Sequence, residues 1–271
     1  MAIDGGVVLI TGASSGIGRS LALELVSRAK VLILVARREE RLHQLEDRLL
    51  DVNPSIEVVV HPCDLSDRGA LDQMCTAIEN RFDGVDVLIN NAGLGDIGFF
   101  VESKWAKIEQ MLEVNVRAPT YLCHRFLPQM IEQRRGSILN VSSGFGLFWF
   151  PFFTTYVGTK HYLSAFTECL RTECRGTGVT VTQLCPGPVA TEFEAHADSP
   201  IQTDLVRYVS ISSEKCARLG VRALEANRAL VQMGWLASIG IWLCRISPRW
   251  VQRWNASLTV RLLETLMRRQ T

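Results

Sequence analysis

No two cysteines in the 271-residue chain are spaced as CxxC, and no histidine stands at zinc-finger spacing from any of the eight. A structural zinc site is therefore not expected, and no metal is assigned. The thiols read instead as reduced, small hydrophobic residues packed in a core. Net charge is almost absent: 29 Lys and Arg face 28 Asp and Glu, a formal +1. That balance gives no global attraction to nucleic acid, which is excluded as a partner. Proline (9) and glycine (20) are too scarce for a collagen-like or low-complexity chain, and 47% apolar residues are too many for a disordered one. The N-terminus MAIDGGVVLITG has neither a basic region nor a long apolar run, so a secretory signal is not expected. A reducing, cytoplasmic location follows. No apolar run reaches the ~20 residues a membrane-spanning helix needs.

What the chain does have is alternation. Short runs rich in Val, Ile and Leu, at residues 7–10, 31–36, 56–61, 86–90, 137–141 and 179–184, read as strands buried on both faces. Helix-period stretches at 16–29, 38–51 and 68–81 lie between them, the last behind the capping pair Ser66-Asp67. Long helices are expected near 104–134 and 155–175. This pattern predicts an α/β fold: a Rossmann-like, doubly wound parallel sheet flanked by helices, with a C-terminal helical extension. Residues 1–227 form the body; 228–271 supply a final strand and a tail of the same domain. Residues 192–213 show no clean period and read as a loop or short helices over a pocket.

The first strand runs into Thr11-Gly12-Ala13-Ser14-Ser15-Gly16-Ile17-Gly18 and then into a helix. Glycines there permit close backbone approach to a pyrophosphate at a helix N-terminus. An acid at the end of the second strand would bind a ribose 2′-hydroxyl, and an arginine a 2′-phosphate. The chain reads Val35-Ala36-Arg37-Arg38, so NADP(H) is favoured over NAD(H), with Arg37 the main phosphate ligand. Arg38 reads equally well as a solvated helix start.

Three more motifs follow in order: Asn90-Asn91-Ala92-Gly93, Tyr156-Val157-Gly158-Thr159-Lys160, and Pro186-Gly187-Pro188-Val189-Ala190-Thr191. With the glycine loop, they closely resemble the short-chain dehydrogenase/reductase (SDR) family over about residues 5–195. The resemblance implies a catalytic set of Asn115, Ser143 (not Ser142), Tyr156 and Lys160, with Asn115 sustaining a proton relay through water and Lys160. It also implies cofactor contacts at Gly12, Ser14, Ser15, Gly16, Ile17, Gly18, Arg37, Asp64, Leu65, Asn91, Tyr156, Lys160, Val189 and Thr191. Asn90 reads rather as a polar brace within the sheet.

The chemistry is consistent. Hydride transfer to a carbonyl leaves negative charge on oxygen and calls for a proton donor. An unperturbed tyrosine titrates near pH ~10; Lys160, one helical turn on, is expected to favour the phenolate. Ser143 would orient the carbonyl.

Five of the eleven phenylalanines lie in Gly144–Phe153, which predicts either an apolar substrate lining or core packing. The expected activity is NADP(H)-dependent interconversion of a hydrophobic ketone or aldehyde and its alcohol. NAD-linked alcohol oxidation and a non-catalytic nucleotide-binding regulator or scaffold are the alternatives. Family resemblance implies a homodimer or homotetramer.

The last segment is different again. Residues 228–271 hold seven Arg, one Glu and four of the six Trp, a local charge of +6. After Pro248, Trp250, Trp254, Leu258, Leu262 and Leu266 recur every four residues. Such a basic amphipathic helix suits either peripheral membrane contact, through residues 235–271, or packing on the pocket or a second subunit.

Overall fold

The computed structural model describes residues 3–189, 211–232, 243 and 246–267, with side chains to 261. Seven parallel strands form one sheet in the order β3-β2-β1-β4-β5-β6-β7. They are β1 Val7–Thr11, β2 Val31–Ala36, β3 Glu57–Pro62, β4 Val87–Asn90, β5 Gly136–Val141, β6 Val179–Cys185 and β7 Leu230–Gln232. β1, β2 and β5 are almost wholly buried, as strands covered on both faces are; in β5 the buried Ser137 and Asn140 hydrogen-bond Thr180 and Asn90.

The helices are α1 Gly16–Leu25, α2 Glu39–Val52, α3 Arg68–Phe82, α4 Trp105–Leu112, α5 Ala118–Glu132, α6 Thr154–Glu173, α7 Ser213–Glu225 and α8 Arg249–Met267. On one face of the sheet α1, α2 and α7 build a core that includes Leu21, Leu25, Leu42, Leu45, Leu49 and Val221. On the other, α3, α5 and α6 contribute Leu71, Leu122, Phe126 and Leu170. The three α2 leucines recur at spacings of three and four and are fully buried, each worth roughly 2 kcal/mol of transfer free energy.

Local signals set the ends. Asp67 Oδ1 accepts from the Gly69 and Ala70 amides at 2.8 and 3.1 Å and starts α3, a cap worth about 1 kcal/mol. The helix expected over 16–29 is regular only to Leu25; beyond it the Arg28 amide bonds back three residues to the Leu25 carbonyl at 3.0 Å, a tighter turn. The expected 104–134 helix is α4 and α5 joined by one wide π turn, Glu113–Arg117. Strand order reverses between β1 and β4, which lie side by side. The crevice beyond their C-terminal ends is where open α/β sheets bind ligands.

Candidate active site

The nucleotide end is built from Thr11, the last residue of β1. Its Oγ1 donates to the Ile89 carbonyl at 3.3 Å and accepts from the Asn91 and Ala92 amides at 3.0 and 3.1 Å. Asn91 returns the bond, its Nδ2 donating to the Thr11 and Gly12 carbonyls at 2.9 and 3.3 Å. Packing here is tight enough to exclude any side chain: a Cβ on Gly18 would lie 2.3 Å from the Gly12 carbonyl oxygen. Gly12 also holds a positive φ of 68°, which suits glycine. Ser15 ends the loop as the α1 N-cap residue without a side-chain cap bond, leaving first-turn amides for an anion.

Several expected cofactor residues also make contacts within the protein. Asn91 Nδ2 holds the loop through the Thr11 and Gly12 carbonyls. Arg38, not Arg37, lies on the glycine loop, its Nη2 donating to Ser14 and Ser15 Oγ at 3.1 and 2.9 Å. Arg37 is exposed and acts on Asp64. Burial works to raise the Asp64 carboxyl, yet hydrogen bonds from Ser66 and the Arg37 charge hold it below its ordinary value. Leu65 is buried in the sheet core, so only its backbone is available to a ligand. Val189 is buried and bridges to Ile211. Thr191 lies outside the described residues, as do most of 192–213. Asn90 braces the sheet, its Nδ2 donating to Asn140 Oδ1 at 2.8 Å.

Tyr156, Thr159, Lys160, Ser164 and Thr167 form a buried polar stripe along α6. The Tyr156 hydroxyl hydrogen-bonds Ser143, while Ser142 turns inward to the Lys160 carbonyl and Ser164 Oγ at 3.2 and 3.0 Å. The two adjacent serines thus face different ways along an extended backbone. Lys160 Nζ donates to the Val141 carbonyl at 3.0 Å and lies 5.8 Å from the Tyr156 ring centre. Asn115, on the π turn, donates from Nδ2 to the Leu94 carbonyl (2.8 Å) and Thr159 Oγ1 (3.0 Å), and accepts from the Leu94 amide at 2.8 Å. That side chain clamps the loop after β4 to α6, with neither amide hydrogen left for a water chain. Thr159 and Ser164 escaped sequence reasoning; their three- and four-residue spacing on α6 was the available signal.

Charge in the site is governed by burial. Desolvation pushes the Tyr156 phenol up to about 12, against the lowering effect of the Ser143 hydrogen bond. Desolvation pulls Lys160 down to about 8. Desolvation, and not the Lys160 charge, sets the direction of the Tyr156 shift. A phenol in this state keeps its proton at neutral pH.

Beyond Tyr156 the wall is aromatic. Phe145 lies 4.7 Å from Phe153, 5.3 Å from Phe148 and 6.0 Å from Phe150 between ring centres, and stands edge-on to Tyr156 at 6.3 Å. Phe152 is held at φ 69°, an unusual state for a bulky residue. Its carbonyl accepts from the Gly98 amide at 2.9 Å, and its ring meets Phe99 at 5.0 Å. Among the described residues no group of three His, Cys, Asp or Glu is placed to hold a metal, and no helix is long and apolar enough to cross a membrane.

A glycine loop at the sheet's switch point, beside the buried Tyr156 and Lys160 and the half-buried Ser143, defines a dinucleotide-type α/β site. The chain matches the short chain dehydrogenase family over residues 6–202, and it belongs to that family. A short chain dehydrogenase of Pseudocercospora fijiensis is 35% identical over 203 residues, 73% of this chain and 64% of the relative. The human dehydrogenase/reductase SDR family member 7 is 35% identical over 69% of this chain and 56% of its own. These matches span less than two thirds of either relative. A fatty acyl-CoA reductase of Acinetobacter baylyi is 34% identical over 88% of this chain and 79% of its own. Among solved structures, a Sphingobium yanoikuyae short-chain dehydrogenase in complex with NADPH superposes with TM-score 0.77 at 25% identity, covering 96% of this chain and 94% of that one. A Burkholderia phymatum relative in complex with NAD gives 0.80 at 27%, covering 90% and 94%.

Proposed function

We propose that the protein is a nicotinamide-dependent oxidoreductase that interconverts an apolar ketone or aldehyde and its alcohol, with NADP(H) preferred. The observation that carries this reading is the buried Tyr156 hydroxyl, hydrogen-bonded to Ser143 in the crevice that also holds the glycine loop. The bound dinucleotide would supply or accept the hydride. Gly12 and Gly18, the open amides of α1, Ser14 and Ser15 fit its pyrophosphate. Arg38, already on the loop's hydroxyls, suits a 2′-phosphate better than the exposed Arg37 does.

Tyr156 donates the proton to the carbonyl oxygen as negative charge develops there. Ser143 holds that oxygen in line, and Lys160 restores the proton from the protein side. Asn115 positions the loop and α6; a water relay past it would use its backbone carbonyl. The aromatic wall accounts for the apolar substrate class.

Cofactor oxidation across a carbonyl panel tests the reading. Tyr156→Phe is expected to cut turnover by about 10²–10⁴-fold while NADPH binding, read by its fluorescence, persists. Turnover within a few-fold of the parent sinks the assignment, and bound cofactor with no turnover on any carbonyl favours the scaffold alternative.

Exposed Ile131 and Tyr162, on α5 and α6, support self-association as a dimer or tetramer through those helices. The tail presents Trp250 (72% exposed), Trp254 (65%) and Leu258 on one side of α8, with Arg253 and Arg261 beside them. That face suits peripheral contact with an anionic bilayer. Trp250→Ala/Trp254→Ala is expected to abolish co-sedimentation with phosphatidylglycerol vesicles; unchanged sedimentation removes the contact.

A further inference from the structure

A cavity of about 460 Å³ lies between the aromatic loop and α8, within the size range of small-ligand sites. It is lined by Leu147, Phe148 and Trp149 from the loop, His161 from α6, and Arg249 and Arg253 from α8. The two elements are tied together: Trp149 Nε1 donates to Gln252 Oε1 at 3.0 Å, and Gln252 Nε2 donates to the Ser247 carbonyl at 2.8 Å. His161 Nδ1 lies 3.0 Å from the Val157 carbonyl and so carries its hydrogen there, leaving Nε2 as the ring's free edge. Arg249 and Arg253 are four residues apart, a spacing at which like charges weaken a helix. Neither has an ion-pair partner among the described residues, and no carboxylate is among the described residues that line the cavity.

The apolar wall does not end at the cavity. Phe148 touches Phe145, and Phe145 stands against Tyr156. An anion seated between the arginines would thus lie at one end of an aromatic track whose other end is the reacting phenol.

We infer that this cavity binds the anionic head, a phosphate or similar oxyanion, of an amphiphilic substrate whose apolar chain runs over Phe148 and Phe145 toward Tyr156. Two guanidiniums supply the forked donors such a group requires, and the rings supply the apolar contact. The inference rests on Tyr156 being the reacting group, as proposed above, and narrows the substrate class from any apolar carbonyl to one with a remote negative charge.

Calorimetric titration of the full-length protein with dodecyl phosphate below its micelle concentration tests this, with dodecanol and inorganic phosphate as controls. Dodecyl phosphate is expected to bind at least about tenfold more tightly than either control. Arg249→Gln/Arg253→Gln is expected to lose about tenfold or more, and Arg249→Lys/Arg253→Lys to keep most of the affinity. Unchanged NADPH binding shows that the variants are folded. Equal affinity in the parent and the Gln variant overturns the inference, as does inorganic phosphate binding as tightly as dodecyl phosphate. Neutral ketones turned over by a protein whose dodecyl phosphate affinity ignores both arginines would sink the cavity and spare the oxidoreductase reading. Arginine-dependent binding in a chain that turns over no carbonyl would do the reverse.

Discussion

The two ends of the crevice are held by different forces. At the nucleotide end, loops are fixed by short side-chain-to-backbone hydrogen bonds: Thr11 and Asn91 tie β1 to β4, and Asn115 ties the next loop to α6. At the aromatic end, the loop after β5 keeps a few hydrogen bonds, such as the Gly98 amide to the Phe152 carbonyl, but its side chains pack ring against ring, with Phe145 at the centre. Hydrogen bonds are directional and demand particular residues at particular spacings. Ring contacts are broad and tolerate exchange among apolar groups of similar volume. The first end therefore reads as a motif, and the second only as a composition.

That contrast can be broken from the aromatic side first. Phe145→Ala is expected to cut kcat/KM for a bulky apolar ketone by about 10–100-fold, the worth of one ring in an apolar pocket, with a much smaller change for a short polar ketone. Steady-state kinetics on both decide it; equal losses would mean that Phe145 serves the fold and not the substrate. The nucleotide end is sharpened by Arg38→Gln, expected to lower the NADPH-to-NADH ratio of kcat/KM by about tenfold, one charge-assisted contact. Arg37→Gln should move that ratio less. The reverse order would restore Arg37 as the phosphate ligand.

A third test concerns Lys160, between the two ends, and reads stability instead of turnover. Its folded pKa is pulled from 10.5 to about 8 by burial, so between those values the unfolded chain binds more protons. Stability therefore climbs with pH through that window, and the cost of the buried charge is fully present below it. Tyr156, raised from 10.0 to about 12, works in the opposite direction above pH 10. Lys160→Met removes the first slope. Urea unfolding of the cofactor-free protein from pH 7 to 10 should show the parent gaining stability on the variant as pH rises; parallel curves would mean that Lys160 is not held as a costly charge.

Much of the fold was legible because its determinants are local. Unbroken apolar runs mark strands covered on both faces, and Asp67 marks the start of α3. Ser143 was separable from Ser142 by its distance from Tyr156 along the family pattern; in the structure Ser142 turns inward to the Lys160 carbonyl and Ser164. The choice between Arg37 and Arg38 was not legible. Adjacent residues on extended backbone point to opposite sides, and Arg38 leaves β2 at φ −89° and ψ 90°. Which side meets the glycine loop depends on how β1 and β2 sit together, a tertiary fact. Asn115 was readable as an identity but not as a clamp, since Leu94 and Thr159 reach it only once the π turn has formed. The Trp149–Gln252 bond joins residues far apart in the chain and left no local trace.

The cysteines carry a practical consequence. Cys185, beside Ser142 and Lys160, is buried and its thiol pushed up to about 12; burial does the same to Cys75, Cys123 and Cys216. Cys169 alone among the described thiols is exposed. Alkylation needs both access and a thiolate, so a maleimide should mark Cys169 at once and the buried described thiols only when the structure around each opens. The order in which labelled peptides accumulate would then time those openings one by one, with Cys185 as the internal clock of the reaction centre.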